Sequence, residues 1–231
     1  MTDPVYGGTA EWLHVVMARA QRRIGPMLRK IIHNDFFFTT LGTELTSGFG
    51  TIDYDLALSG GMANLQTGTS ILPPNNYALV YNAGASRVIA NASNRSCYVE
   101  ARSKATVAAT PTMVWDYVGL WNTDWATLGV DGSVDLTKII MRLSSGGQRN
   151  IISDVDYELD VFHSYALGLN FETGTLSAWM DDSDNPIIET TDLSNLTTQS
   201  VVNYSFVKGE PLDPNGQLIV DYIATAMEEE P

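Results

Sequence analysis

Four acidic residues alternate along one short stretch and are the best candidates for catalysis. They are Asp154, Asp156, Glu158 and Asp160. Because the side chains of a β-strand point alternately to its two faces, a strand here predicts four carboxylates on one face. A retaining glycoside hydrolase needs two carboxyl groups about 5–5.5 Å apart, a separation that neighbours on one strand face approach. The pattern therefore raises glycoside hydrolysis as a hypothesis.

A second acidic group lies between residues 181 and 185. Asp181, Asp182 and Asp184 offer the hard oxygen ligands that Ca²⁺ prefers. The spacing lacks the glycine and glutamate of an EF-hand, and Pro186 follows, so a polar turn is the alternative interpretation. The three histidines are too far apart in the sequence to indicate zinc. We expect no cofactor, with a structural calcium at these aspartates as the alternative.

Four aromatic side chains are candidates for carbohydrate binding, because exposed aromatic rings stack on sugars. They are Trp115, Tyr117, Trp121 and Trp125. In a regular strand Trp115, Tyr117 and Trp121 share one face, and Gly119 leaves open space between them. The alternative is that these large rings form the inner wall of a β-sandwich, since large aromatics are mostly buried.

The charge of the chain is unevenly distributed. Residues 1–35 carry five basic and three acidic side chains, a net of +2, whereas the whole chain has a formal net charge of -14. The remainder is therefore strongly acidic and repels nucleic acid and anionic bilayers, so neither is an expected partner. The chain has one cysteine, Cys97, which excludes an internal disulfide. With no signal pattern at the N-terminus, this predicts folding in a reducing cytoplasm.

Residues 9–33 have the pattern of an amphipathic helix, with apolar side chains every three to four positions. Gly25-Pro26 predicts a kink or division near Ile24, so two helical pieces are expected. Basic residues occupy much of the other face, which is either a solvated surface or an attachment surface. As an attachment segment, its interface consists of Trp12, Val16, Arg19, Arg22, Arg23, Ile24, Leu28, Arg29, Phe36, Phe37 and Phe38.

A Gly/Ser/Thr-rich passage at residues 41–50 separates this segment from the rest. We place the domain boundary there, with a helical attachment segment at 1–44 and a β-sandwich at 45–231. Two alternating runs at 162–171 and 175–180 flank a glycine-containing turn and predict a central hairpin. Further strands are predicted at 52–58, 96–107, 113–121, 139–143, 151–153, 201–208 and 218–227.

Several of these strands resemble the concanavalin A-like superfamily of lectins and glucanases. The segment FHSY at 162–165, followed by a hairpin with Trp179 and Asp181, is similar to the central strand pair of that superfamily. Residues 218–223 resemble its terminal strand, and residues 98–102 and 118–121 resemble strands of its laminin G-like and laminarinase-like branches. The resemblance covers about residues 45–228 and implies an antiparallel jelly-roll sandwich. It does not imply one activity, because one fold hosts many functions.

Against the catalytic pattern of the glucanase branch, the acidic run departs in three ways. Asp154 stands where a glutamate is expected, the usual bulge residue is missing, and only four residues separate Glu158 from His163. We therefore expect a non-enzymatic virion structural protein, such as a capsid decoration, turret, tail or fibre component. It would fold in the host cytoplasm, form homo-oligomers and dock on other virion proteins through its N-terminal segment. The alternatives are a module that binds host-surface glycans and a glycoside hydrolase or polysaccharide lyase.

Overall fold

The computed structural model describes residues 11–34, 43–47, 51–54, 62–66, 77–82, 96–121, 125–144, 148–191, 202–208 and 217–228. These residues form one helix and fifteen strands: α1 (Glu11–Arg23), β1 (Leu28–Asn34), β2 (Thr43–Ser47), β3 (Thr51–Tyr54), β4 (Ala63–Gln66), β5 (Tyr77–Asn82), β6 (Cys97–Ala105), β7 (Val114–Trp121), β8 (Trp125–Asp131), β9 (Lys138–Leu143), β10 (Arg149–Asp156), β11 (His163–Asn170), β12 (Thr175–Met180), β13 (Ile188–Thr190), β14 (Val202–Lys208) and β15 (Gln217–Glu228). The protein is mainly β, as its period-2 patterning predicts.

The strands form two antiparallel sheets with a shared apolar interior, which makes the fold a β-sandwich. Sheet A has the order β13-β12-β11-β6-β15-β4-β3, and β1 also pairs with β15. Sheet B has the order β10-β9-β8-β7-β14-β5-β2. The two sheets meet where Tyr117 of β7 stacks on Tyr165 of β11, with ring centroids 4.0 Å apart. Strands that pair within a sheet are often far apart in the sequence, as β6 and β15 are. The order of the strands therefore cannot be predicted from the sequence alone.

The predicted central hairpin is confirmed as β11 and β12. Its register pairs Tyr165 with Met180 and Asn170 with Thr175. Gly174 closes the turn at a φ of 66°, a backbone conformation that glycine adopts without steric cost. The alternation is confirmed as well, because Tyr165, Leu167 and Leu176 all lie in the buried interior. Cys97 is also buried there, as expected for a small apolar side chain.

The prediction of two helical pieces is wrong for the second piece. Helix α1 ends at Arg23, and residues 28–34 form β1, which pairs with residues 223–228 of β15. Gly25 has a φ of 151° and Pro26 follows it, so the chain ends the helix there instead of kinking it. Apolar spacing in Leu28–Asn34 fits a helix locally, but the free backbone groups of β15 offer a strand partner. No helix in the described part of the chain is long and apolar enough to cross a membrane.

The predicted boundary between residues 44 and 45 falls within β2. Thr43–Ser47 pairs with β5 at one edge of sheet B, so part of the glycine- and threonine-rich passage is a strand. Phe36, Phe37 and Phe38 lie outside the described residues.

Candidate functional site

Three charged side chains cluster on the outer side of sheet B. Asp116, Asp131 and Arg142 lie between interior residues of β7, β8 and β9, so strand alternation turns them away from the core. They are nevertheless only 3%, 3% and 9% exposed. Arg142 binds the Asp116 carboxylate directly, and its Nη1 lies 3.5 Å from Oδ2 of Asp131. Pairing of this kind is what makes buried charge tolerable.

Arg142 also orients Trp125, the first residue of β8. The guanidinium carbon lies 5.4 Å from the centroid of the indole ring, a cation–π contact. The backbone of Trp125 is fixed by Ser144, whose Oγ accepts from Trp125 N at 2.8 Å and whose N donates to Trp125 O at 3.0 Å. Trp125 is partly exposed, and Asn150, which lies opposite Arg142 on β10, is exposed. The arrangement presents a rigid aromatic ring close to polar side chains.

Of the four aromatic residues predicted to bind sugars, Trp115 and Tyr117 are fully buried and cannot serve as platforms. A β-bulge between Asp116 and Val118 shifts the register of β7 against both of its neighbours. As a result Tyr117, Val118 and Leu120 all belong to the interior, so the strict alternation from which the shared face was predicted is interrupted at Tyr117. Trp121 lies opposite Trp125 in the register of β7 and β8, and its side chain lies outside the described part.

The four carboxylates proposed for catalysis are not assembled on one strand face. β10 ends at Asp156, with a register irregularity after Ile152, and Glu158 and Asp160 follow in a loop. All four side chains are exposed, and three of them lie near different basic side chains. Asp156 pairs with Lys138 at 2.9 Å, Glu158 lies 3.8 Å from His163 Nε2, and Asp160 lies 3.7 Å from Lys104.

The three aspartates proposed as calcium ligands also point to different partners. Asp181 accepts from Ser164 N and contacts His163 Nδ1 at 2.8 Å, Asp182 binds Arg19 at 2.6 Å, and Asp184 binds Arg22. Burial opposes ionisation of Asp181, but the hydrogen bonds from His163 and Ser164 outweigh it and lower its pKa. Among the described residues no three metal-ligating side chains converge. The loop is therefore a docking point for basic side chains.

The basic side chains come from α1, which packs on the outer face of sheet A. Glu100 of β6 is fully buried beneath the helix and accepts hydrogen bonds from Arg19, Tyr98 and Tyr222, each at 2.6 Å. Burial alone would lower the pKa of Arg19, but attraction to Glu100 and Asp182 raises it. Arg23 donates to the carbonyl oxygens of Asp181 and Ser183.

The residues proposed for an assembly interface are thus largely used within the chain. Val16, Arg19, Ile24 and Leu28 are buried, and the apolar ones form a cluster with Tyr98, Ala166, Trp179 and Tyr222 of sheet A. Arg22 and Arg23 contact the loop at 181–184. The described side chains leave no apolar stripe of α1 free for a neighbour. The side chains of Trp12 and Arg29 lie outside the described part.

The residues that organise both outer faces are absent from the sites predicted from the sequence, namely Asp116, Asp131, Arg142 and Glu100. A signal was present for Asp116, which is the one charged residue of β7 and has an aromatic residue on each side. An isolated charge in such a strand indicates a paired, buried group. Arg142 and Asp116 are 26 positions apart in the sequence, and Arg19 and Glu100 are 81 positions apart. The sequence therefore does not reveal the pairing.

No protein-family model and no curated protein matches the sequence. Solved structures do match. An endo-1,3-β-glucanase from Streptomyces sioyaensis aligns over 89% of this chain and 98% of its own, with TM-score 0.60 and 10% identity. A Shewanella oneidensis protein of unknown function aligns over 95% of each chain, with TM-score 0.64 and 10% identity. The CBM2 module of the evolved Dit protein of Lactobacillus casei phage J-1 aligns over 87% of this chain and 96% of its own, with TM-score 0.53 and 11% identity.

At these identities the matches show the fold alone. They are consistent with the concanavalin A-like jelly-roll sandwich that the strand motifs resemble. The matched proteins include glucanases, a module of a phage protein and a carbohydrate recognition domain, so one backbone arrangement carries both enzymes and binding modules.

Proposed function

We propose that this chain is a non-enzymatic glycan-binding module of a virion, with Trp125 as the platform for a sugar ring. The observation that carries the proposal is the partly exposed indole of Trp125, which Arg142 and Ser144 hold in one orientation. An aromatic ring fixed before binding loses little conformational entropy when a ligand stacks on it.

The charge of the molecule indicates the class of glycan. A chain with a net charge of -14 repels uronate- or sulfate-rich polysaccharides. The positive charge of Arg142 is already matched by Asp116 and Asp131, so it is not available to an anionic sugar. We therefore expect a neutral glycan, whose apolar ring face stacks on Trp125 and whose hydroxyl groups reach the amide of Asn150.

The virion setting has support of a different kind. The fold is similar to that of a module of a phage protein, and a single buried cysteine fits folding in a host cytoplasm. In this setting the partners are host-surface glycans, other virion proteins and further copies of the chain. Because the described apolar side chains of α1 pack on the chain's own sheet, we place attachment to the virion on another surface.

A glycoside hydrolase is the competing function, because glucanases share the fold. Its support is weaker because the acidic residues 154, 156, 158 and 160 are divided between an edge strand and a loop. The two buried carboxylates near Trp125 both bind Arg142, and neither is placed as a free acid or nucleophile.

The test is titration of the full chain with neutral oligosaccharides, beginning with laminarin fragments and a neutral glycan array. Binding should quench or shift tryptophan fluorescence. The Trp125→Ala variant should bind about tenfold more weakly, the factor that corresponds to about 1.4 kcal/mol of stacking. Trp125→Phe should retain most of the affinity, because the ring is kept.

Leu136→Ala is the matched control, since this exposed side chain follows the opposite end of β8. Silence on the array together with unchanged fluorescence would exclude the proposal. Release of reducing ends from any of the glycans would instead establish an enzyme.

A further inference from the structure

Two loops at one end of the sandwich expose aliphatic side chains. The connection between β8 and β9 carries Val134 and Leu136, and the connection between β10 and β11 carries Leu159 and Val161. These four residues, which we call the end patch, are 36–43% exposed. Connecting loops are usually polar, so four aliphatic side chains in two of them require an explanation.

Backbone hydrogen bonds bring the two loops to the same end. Tyr157 N donates to Thr137 O at 2.9 Å, which joins the start of one loop to the end of the other. Leu159 forms a bridge with Ala105 at the end of β6, and Asp160 N donates to Ala105 O at 2.9 Å. Both sheets therefore anchor the end patch.

The loops are also fixed internally. Asp135 accepts hydrogen bonds from Thr137 N, Thr137 Oγ1 and Lys138 N at 2.8–3.1 Å. Asp131 accepts from Ser133 N and Oγ, and Tyr157 Oη accepts from Ala109 N at 2.9 Å. The exposed side chains are thus held by an ordered backbone, which lowers the entropy lost when a partner covers them.

Carboxylates border the end patch. Asp135, Asp156, Glu158 and Asp160 lie in or beside the two loops, and the cations that pair with them there are Lys138 and Lys104. The border is therefore net acidic. A partner surface with lysine or arginine around an apolar centre is complementary to it. A second copy of this chain, with a net charge of -14, is repelled over long distances.

We propose that the end patch is a docking surface for a protein segment that presents apolar side chains flanked by lysine or arginine. This inference goes beyond glycan binding and does not depend on it. In the proposed virion setting, it supplies the attachment surface that α1 does not provide.

The test begins with selection of random 12-residue peptides displayed on phage against the full chain. Selected peptides should combine leucine, isoleucine or phenylalanine with neighbouring lysine or arginine. A synthetic peptide of the selected sequence, measured by fluorescence anisotropy, should bind the Leu136→Ser/Leu159→Ser variant at least about tenfold more weakly. Its affinity should also fall at 0.5 M NaCl, because the border charges are exposed.

Ile152→Ser is the matched control, because Ile152 is an aliphatic residue that is more exposed than the patch residues, at 50%, but lies on β10 outside the end patch. This variant should leave binding unchanged. Val161→Ser serves as a second patch variant if the double variant fails to fold. Failure to enrich apolar-basic peptides, or equal binding by the patch variants, would overturn the proposal. So would concentration-dependent self-association that the patch variants abolish, since the partner would then be a second copy.

Discussion

Glu100 holds α1 on the outer face of sheet A. Its carboxylate is fully buried under α1 and accepts hydrogen bonds from Arg19, Tyr98 and Tyr222. Replacing it in the Glu100→Ala variant leaves the buried Arg19 with Asp182 as its carboxylate partner. We expect the free energy of unfolding to fall by about 3–5 kcal/mol, the usual cost of removing one member of a buried ion pair. Urea denaturation followed by circular dichroism measures this loss.

Glu172→Ala is the control for this measurement, because Glu172 is exposed in the β11–β12 turn. It should leave the urea midpoint unchanged. Equal midpoints for the two variants would mean that Glu100 contributes no more than a surface carboxylate. The docking of α1 would then depend on apolar contacts alone.

Among the elements, Ile24, the residue that follows α1, fits against sheet A because β11 has a glycine beneath it. A Cβ atom added to Gly168 would lie 2.2 Å from Cδ1 of Ile24 and 2.8 Å from Cζ3 of Trp179. The Gly168→Ala variant should therefore lose about 1–3 kcal/mol of stability, the usual cost of overpacking. Ile24→Val removes Cδ1, the nearest of the three atoms that lie within 3.0 Å of the added Cβ, and should recover part of that loss in the double variant. Thermal unfolding of the single and double variants forms the double-mutant cycle.

A cycle with additive effects would contradict this packing, because it would mean that Gly168 and Ile24 do not contact each other. Ile24→Val alone should cost about 0.5–1.5 kcal/mol, the range for removing one buried methyl group. The stability of the Ile24→Val variant is therefore the reference for the stability that the double variant recovers.

At the scale of the whole molecule, charge sets the response to salt and pH. A net charge of -14 implies self-repulsion, which salt screens, while the buried pairs of Arg19 and Arg142 are screened less. Melting temperature at pH 7 should therefore rise between 20 and 500 mM NaCl, roughly the range over which the Debye length falls from about 20 Å to about 4 Å. A fall in melting temperature with salt would show that exposed ion pairs outweigh the repulsion.

The acid side of the pH profile is set in part by Asp181. Its folded-state pKa is lowered, so its contribution to stability is present above the unfolded value of about 3.9 and disappears as pH falls through the folded pKa. Stability should peak near about pH 5, where repulsion is partly relieved, and should fall below about pH 4. Asp181→Asn should make that fall shallower, because asparagine tolerates the φ of 53° but does not titrate. Asp154→Asn is the control, because Asp154 is exposed on β10, and it should leave the steepness of that fall unchanged.

Features that depend on neighbours along the chain are predictable from the amino-acid sequence. Period-2 alternation and a glycine turn fix the β11–β12 hairpin, because side-chain direction in a strand is a local property. The apolar spacing before Gly25-Pro26 predicts α1 for the same reason, whereas the helical piece predicted after Gly25-Pro26 is a strand. The single cysteine and the acidic excess follow directly from composition.

The contacts between those elements, in contrast, follow from the three-dimensional arrangement of the strands. The bulge in β7 turned Tyr117 and Leu120 inward together, because its pairing with β8 and β14 sets the register. Leu28–Asn34 became a strand because β15, almost 200 residues later, offered it backbone partners. The basic face of α1 met a loop of its own chain about 160 positions away, and Trp125 received its orientation from Arg142 on a neighbouring strand. Such contacts depend on which strands become neighbours, and local pattern contains no information about that choice.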